Sequence, residues 1–171
     1  EDLFYHNGLW NSFQHHSSFS AANPAIVLEK INVELAKSRT RLQQTKVLIL
    51  TFGSAWVYEL NKTQKAVSNC HKLPANRFKR RKLSVSEIVE KLGSLLEYLK
   101  KQLPELNIIL TVSPIRHLKD GFEENQISKS TLILAVQEMV QRASYIHYFP
   151  AYEIMMDDLR DYRYYADDMI H

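Results

Sequence analysis

Two continuous apolar runs, at residues 46–52 and 107–113, constrain the fold of this chain most strongly. Such runs are typical of strands that are buried on both faces of a sheet. Between them, Ser84 and Glu87 form a capping-box pattern, and apolar residues at helical spacing predict an amphipathic helix that ends near residue 103. Strands that alternate with helices indicate crossover connections, so the sequence predicts an α/β fold with a mostly parallel sheet.

The same alternation extends to the rest of the chain. Asn23 and Pro24 are an N-cap and a first-turn proline, and they predict a helix up to residue 39. Apolar spacing predicts two more helices and a third strand, at residues 128–143, 152–159 and 145–149. The first 22 residues are rich in aromatic residues and histidine without a clear period, and we expect an irregular segment there.

Composition limits the class of protein. The chain has 171 residues, 45% of them hydrophobic, which fits one domain over residues 1–171. No stretch approaches the roughly 20 apolar residues of a membrane span. The basic run at residues 77–82 is typical of a solvated connection before a helix, so we expect no nucleic-acid partner; phosphate binding there is the less favoured alternative. The single cysteine, Cys70, fits a reducing compartment, and we expect a cytoplasmic protein.

Polar and conformationally special residues follow each predicted strand. In parallel α/β sheets, ligands bind beyond the carboxyl ends of the strands. Those ends are residues 53–54, 113–117 and 149–150 in this chain. His15 and His16 suggest a metal site, but no carboxylate or cysteine at useful spacing supports one, so we expect no metal.

Asp168 and His171 form an Asp-x-x-His pattern at the end of the chain. Residues three apart can face the same side, where a carboxylate orients an imidazole that acts as a general base. Taken alone the pattern is weak, since such a pair is more often solvated surface. Ser54 and Ser113 lie at strand ends, but neither lies in a Gly-x-Ser-x-Gly elbow. The pattern therefore provides the base and its orienting group without a nucleophile.

Several longer strings occur in a defined order: TFGSAWVY at 51–58, NCHKLP at 69–74, TVSPIRH at 111–117, YEIMMDDLRDYR at 152–163 and DMIH at 168–171. Together they closely resemble the GSCFA domain family, bacterial proteins related to the SGNH (GDSL-like) hydrolases. The resemblance implies a flavodoxin-like three-layer fold, with a parallel sheet and helices on both faces, and ester hydrolysis. It also implies that Asp168 orients His171 and that His171 acts as the base.

The chain departs from the family pattern at its start. The Gly-Ser-Cys-Phe-Ala string that names the family, and whose serine corresponds to the nucleophile, does not occur in these residues. We therefore expect an N-terminally incomplete domain that lacks its first strand, with the nucleophilic serine upstream. As a fragment it is expected to be inactive.

The oxyanion side also differs from the SGNH pattern, in which Gly-x-Asn-Asp supplies an asparagine donor. Here alanine stands at that position, after Gly53 and Ser54. Asn69 is the best substitute donor, with backbone N–H groups near Gly53, although Asn69 could equally cap a turn. His71 and Arg116 are further candidates for oxyanion or substrate contact. His71 is more often a structural histidine, and Arg116 could instead pair with a carboxylate.

Two functions from different classes are therefore predicted. The first is a serine esterase or acylhydrolase that acts on a small-molecule or glycan ester, such as an O-acylated carbohydrate, without a cofactor. The alternative is a non-catalytic carbohydrate- or protein-binding domain on the same fold. Its contact surface would use aromatic side chains such as Trp10, Phe13 and Trp56, although buried aromatics are the commoner case.

Overall fold

The alternation of apolar strands and capped helices produces the α/β fold that the sequence predicts. A computed structural model describes residues 3–167. They divide into two compact units. The first comprises the described residues up to Gln44 together with Val57–Arg81, and the second comprises Thr45–Trp56 together with the residues from Lys82 onward. In chain order the strands and helices are β1 (Leu3–His6), β2 (Leu9–Ser12), α1 (Pro24–Gln43), β3 (Val47–Phe52), β4 (Trp56–Leu60), β5 (Ala66–Val67), β6 (Phe78–Lys82), α2 (Val85–Gln102), β7 (Asn107–Val112), α3 (Phe122–Arg142), β8 (Ile146–Phe149) and α4 (Ala151–Glu153).

The first unit begins with an antiparallel hairpin, in which Leu3 of β1 pairs with Ser12 of β2. Asn7 and Gly8 form its turn, with φ of 49° and 78°. Positive φ at both central residues is the geometry of a type I′ turn, for which Asn-Gly is the preferred pair. The prediction of an irregular segment over the first 22 residues is therefore wrong for its first half, because the Asn-Gly signal was overlooked.

The basic run is a strand, β6, in a sheet with the order β5-β4-β6. Arg81 Nε donates to Glu59 Oε1 at 2.7 Å, and the Arg80 guanidinium lies 5.8 Å from the centre of the Tyr58 ring. The prediction of a solvated connection is wrong here, because β4 pairs with this run as a neighbouring strand and supplies an opposite charge in Glu59.

The second unit contains a parallel sheet with the order β3-β7-β8. Phe52 of β3 pairs with Val112 of β7, and Thr111 of β7 pairs with Phe149 of β8. The predicted α/β fold with a parallel sheet is thus confirmed. The central strand forms the middle of the core: Ile108, Leu110 and Val112 are fully buried among residues of α2 and α3.

Strand β3 differs from its prediction. Leu48, Leu50 and Phe52 pack against the core, but Val47 and Ile49 on the other face are 50% and 61% exposed. A continuous apolar run predicts burial on both faces of the strand. Here the core that includes residues of α2 and α3 lies on the face that carries Leu48, Leu50 and Phe52. Burial on both faces is therefore wrong for this strand.

The helices follow their local signals. At the start of α2, Glu87 N donates to Ser84 Oγ and Ser84 N donates to Glu87 Oε2, so both bonds of the predicted capping box are present. Helix α1 extends four residues beyond the predicted end, and α3 begins at Phe122, earlier than predicted. Helix α4 continues as a π-helix over Ile154–Leu159. Among the described residues, no helix combines the length and apolar character that a bilayer crossing requires.

Candidate active site

The carboxyl ends of the parallel strands lie side by side, as the sequence predicts. Because Phe52 and Val112 are paired, Gly53 and Ser113 follow at the same edge of the sheet. Ser113 N donates to Phe52 O at 2.9 Å and extends the pairing by one step. Two of the three predicted ligand-binding segments therefore meet at this edge within the second unit.

A fully buried lysine joins these two strand ends. Lys129, on α3, donates through Nζ to Gly53 O at 2.5 Å and to Ser113 O at 2.6 Å. Burial lowers the pKa of its ammonium to about 8, because removal from water penalises the charged form. Sequence reasoning missed this residue. The signal was its helical register with Leu132 and Val136, which places a charged residue on an apolar face.

The backbone amides after β3 are partly occupied. Ala55 N donates to the buried Ser128 Oγ at 2.7 Å, and Trp56 N donates to Ser54 Oγ at 3.3 Å. Within residues 3–167, Gly53 N and Ser54 N donate to no other residue. These two amides are consequently the backbone donors that remain for an oxyanion at this edge.

Arg116 and His117 follow β7 and line a cavity of about 290 Å³. The Arg116 Nη2 atom donates to Met156 Sδ at 3.6 Å, and the guanidinium lies 5.6 Å from the centre of the Tyr165 ring. His117 Nε2 is buried without a hydrogen-bond partner among the described residues, and a Cβ atom at position 53 would lie 3.8 Å from it. Gly53 and His117, which follow two different strands, are thus close neighbours, and Arg116 precedes His117 in the chain.

Asn69 and His71 lie in the first unit and contact each other. Asn69 Oδ1 accepts from His71 N at 2.8 Å, which is an Asx turn, and Asn69 Nδ2 donates to His15 O at 3.4 Å. The turn places His71 at φ 47°. His71 Nε2 donates to Ser12 O at 2.7 Å. The turn-capping alternative for Asn69 is therefore present in the structure, and its oxyanion role stays a prediction.

A serine–histidine contact that was not predicted from the sequence lies beside them. Ser12 Oγ and His15 Nδ1 are 2.8 Å apart, and Gln14 N donates to the same hydroxyl at 3.3 Å. A hydroxyl that faces an imidazole nitrogen is the contact of a nucleophile with its base. Ser12 as a residue is only 6% exposed, however, which restricts access of a substrate to its hydroxyl.

The remaining candidates are placed as follows. Asp168 and His171 lie outside the described residues. Ser113 Oγ accepts from Ile115 N at 3.2 Å. Cys70 is half-buried, and burial raises the pKa of its thiol, which disfavours the nucleophilic thiolate. Between residues 3 and 167, no three His, Cys, Asp or Glu side chains are grouped so that they could hold a metal ion.

Comparison with known proteins identifies the family to which the chain belongs. No curated protein and no solved structure gives a significant match to the chain. The model of the GSCFA family matches residues 1–171, which include every string on which the resemblance depends. The chain therefore belongs to the GSCFA family.

Proposed function

We propose that this protein is a serine esterase or acylhydrolase of the SGNH type, with the flavodoxin-like three-layer arrangement of that superfamily. O-acyl groups of carbohydrates are the proposed substrate class, and the bacterial cytoplasm is the proposed location. One observation carries the proposal: Gly53, the ammonium of Lys129 and the cavity beside Arg116 converge at the carboxyl ends of β3 and β7. Ligands bind at this edge in parallel α/β sheets.

The electrostatics of this edge suit an acyl transfer. Ester attack places negative charge on the carbonyl oxygen, and fixed donors that already point at that oxygen stabilise the charge. Gly53 N and Ser54 N are the proposed backbone donors, and the buried charge of Lys129 on Gly53 O and Ser113 O adds positive potential. The Asn69 amide is a further proposed donor, and His71 and Arg116 are proposed substrate contacts.

The proton-transfer roles come from the Asp-x-x-His pattern. Asp168 accepts the ring N–H of His171 and fixes its tautomer, so that the other ring nitrogen takes the proton of the attacking hydroxyl. A serine upstream of Glu1 is the proposed nucleophile. Ser12 is the internal alternative, because its hydroxyl contacts His15, but its burial favours the upstream serine.

The test is release of p-nitrophenol from p-nitrophenyl acetate by the full-length protein. His171→Ala should lower kcat by about 1,000-fold or more, as for other members of a catalytic triad. His147→Ala is the matched control, since His147 is exposed on β8. Ser12→Ala separates the two nucleophiles: retained activity supports the upstream serine. Equal rates for His171→Ala and the wild type, with unchanged circular dichroism, would reject His171 as the base.

A binding domain is the second candidate function, and a cavity of about 460 Å³ in the first unit favours it. Its lining includes Phe4 and Phe13, whose stacked rings have centroids 4.1 Å apart. Aromatic surfaces of this kind bind sugar rings and other apolar ligand faces. Trp10 is half-buried against Tyr5, and Lys82 Nζ lies 5.3 Å from the centre of the Trp56 ring, so these two side chains are less suited to that role. Glycan binding by the full-length protein without ester cleavage would favour this alternative.

A further inference from the structure

The positive charge of the chain is concentrated in one segment of the first unit. Residues 57–81 contain a single acidic residue, Glu59, whose carboxylate is bound by Arg81 Nε at 2.7 Å. The same segment contains seven basic residues, namely Lys62, Lys65, Lys72, Arg77, Lys79, Arg80 and Arg81. Because the net charge of the whole chain is only +3, this excess is local, and it attracts ligands of negative charge.

The cavity of about 460 Å³ in the first unit is lined partly by this segment. Its apolar lining consists of Leu3, Phe4, Phe13, Leu60 and Val67, and its basic lining of Lys62, Lys65 and Arg77. Among the described residues, no acidic side chain lines the cavity. Glu29 and Glu34 lie on α1, and Glu1 and Asp2 lie outside the described residues. The lining therefore combines an apolar surface with positive charge.

Two of the basic side chains are available to a ligand. Lys62 and Arg77 are exposed, and within residues 3–167 neither side chain forms a hydrogen bond, an ion pair or a ring contact. Lys65 already has an interaction of its own, which leaves Lys62 and Arg77 as the cations of the site. An ammonium and a guanidinium both donate charge-assisted hydrogen bonds to anionic oxygens.

The backbone holds the two sides of the cavity in place. Asn61 N donates to Arg77 O at 2.9 Å, which joins the turn that carries Lys62 to the segment that carries Arg77. On the aromatic side, Ser68 N donates to Phe13 O at 2.9 Å and joins β5 to the residue that follows β2. A site whose walls are already fixed loses less conformational freedom when a ligand binds.

The two parts of the lining call for a ligand with two parts. An inorganic anion would contact Lys62 and Arg77 but would leave the apolar lining in water. A neutral apolar molecule would bury that surface without pairing either cation. A ligand that joins an apolar body to an anionic group gains from both, through burial of apolar area and through charge-assisted hydrogen bonds.

We propose that this cavity binds a small organic anion, with its apolar body against Phe4 and Phe13 and its phosphate, sulfonate or carboxylate group bound by Lys62 and Arg77. The inference deepens the binding-domain alternative, on which it rests, because it assigns a charge to the ligand. It is independent of ester cleavage.

The experiment is a calorimetric titration of the full-length protein, at low ionic strength, with naphthalene-2-sulfonate, its neutral counterpart naphthalene-2-sulfonamide, and inorganic sulfate. The sulfonate should bind about tenfold or more tightly than the sulfonamide, because the latter lacks the charge, and than sulfate, which lacks the apolar body. Its affinity should fall as salt is added, since Lys62 and Arg77 are exposed and their charges are screened.

Three variants and one control localise the binding. Lys62→Gln and Arg77→Gln should each weaken sulfonate binding about three- to tenfold and leave sulfonamide binding unchanged. Lys62→Glu reverses the charge and should weaken sulfonate binding further. Lys79→Gln is the matched control, because Lys79 is exposed on β6 and does not line the cavity, so its affinity should equal that of the wild type.

Any of three results would overturn the proposal: equal affinity for the sulfonate and the sulfonamide, sulfate that binds as tightly as the sulfonate, or equal losses in Lys79→Gln and Lys62→Gln. The last result would mean that the general charge of the surface, and not this cavity, attracts the anion. Sulfonate binding that persists in His171→Ala, while ester cleavage is lost, would separate the site from the proposed catalytic function. Sulfonate binding without binding of a neutral oligosaccharide would reject glycan binding and support the anion site.

Discussion

Lys129 Nζ lies 2.6 Å from Ser113 O, so a buried ammonium is bound to the backbone directly after the end of β7, the central strand of the parallel sheet. The same nitrogen binds Gly53 O at the end of the neighbouring strand. A buried charge in this position should make the stability of the folded protein depend on pH. It also joins the two strand ends that form the candidate site.

Stability should rise with pH above about 8. The folded pKa of Lys129 is about 8, below the ordinary lysine value of 10.5, so between these values the unfolded chain binds more protons than the folded one. Stability is therefore gained as the pH rises, by up to about 3 kcal/mol across the whole interval. Urea unfolding at pH 7.5 and 9.5 measures the change.

The control for this titration is Lys129→Met, which should lack the increase. Burial also raises the pKa values of Tyr145, Tyr148 and Tyr152, but a raised tyrosine pKa lowers stability only above about pH 10, outside the measured interval. The raised pKa of the Cys70 thiol opposes the gain within the interval, but it does so equally in Lys129→Met, so the comparison of the two proteins removes it. A wild-type slope equal to that of Lys129→Met would mean that Lys129 does not titrate in this range.

Neighbouring leucines on α2 should respond very differently to truncation. Leu96 is fully buried in the core, whereas Leu95 is 51% exposed. Leu96→Ala should cost about 2–5 kcal/mol of unfolding free energy, because it removes buried methyl groups and leaves a cavity. Leu95→Ala should cost less than about 1 kcal/mol. Chemical denaturation compares the two, and similar losses would contradict the packing of α2.

Replacement of two glycines by alanine should change the stability of the protein in opposite directions. Gly8 has φ 78° in the hairpin turn, a conformation that strains an L side chain, so Gly8→Ala should destabilise the protein by about 1 kcal/mol. Gly93 lies within α2 with open space at its Cβ position, so Gly93→Ala should stabilise it by about 0.4–1 kcal/mol. Thermal unfolding reports both. Destabilisation by Gly93→Ala would place that residue in a tighter environment.

Asn69→Ala distinguishes turn capping from oxyanion binding. Loss of the Asn69 Oδ1 bond to His71 N should lower stability by about 1 kcal/mol in either case. If the amide also binds the oxyanion, kcat for p-nitrophenyl acetate should fall about 100-fold with little change in KM. A loss of stability with unchanged kcat would leave Asn69 a turn cap alone. Asn61→Ala, which removes a comparable side-chain bond to Asn76 O, is the control.

The elements that local patterns specify were predictable. The capping box located α2, and continuous apolar runs located β3 and β7. Features that depend on distant partners were not predictable in this way. Strand β6 carries four consecutive basic residues, and its strand character depends on pairing with β4. The exposed face of β3 likewise depends on which helices cover the sheet.

The candidate site likewise contains residues that local sequence patterns identified and residues whose role depends on distant partners. Gly53 and Arg116 were identified from their positions after strands, and the parallel pairing of β3 with β7 brings Gly53 close to His117, the neighbour of Arg116 in the chain. Lys129 was missed because its role depends on two carbonyl groups, one of them 76 residues away along the chain. Asp168 and His171 lie outside the described residues, so their assignment still depends on the sequence pattern.

The Lys129 contacts also bear on how β3 finds its alignment with β7. Shifting a strand by one residue exchanges its two faces, and alternation of apolar and polar residues normally penalises such a slip. In β3 both faces are largely apolar, Leu48 and Leu50 on one and Val47 and Ile49 on the other, so hydrophobicity alone discriminates weakly between the two alignments. A slip would carry Gly53 O about 3.3 Å along the strand and out of reach of Lys129 Nζ. The buried lysine therefore favours the observed alignment of β3 with β7, which the apolar residues of β3 specify only weakly.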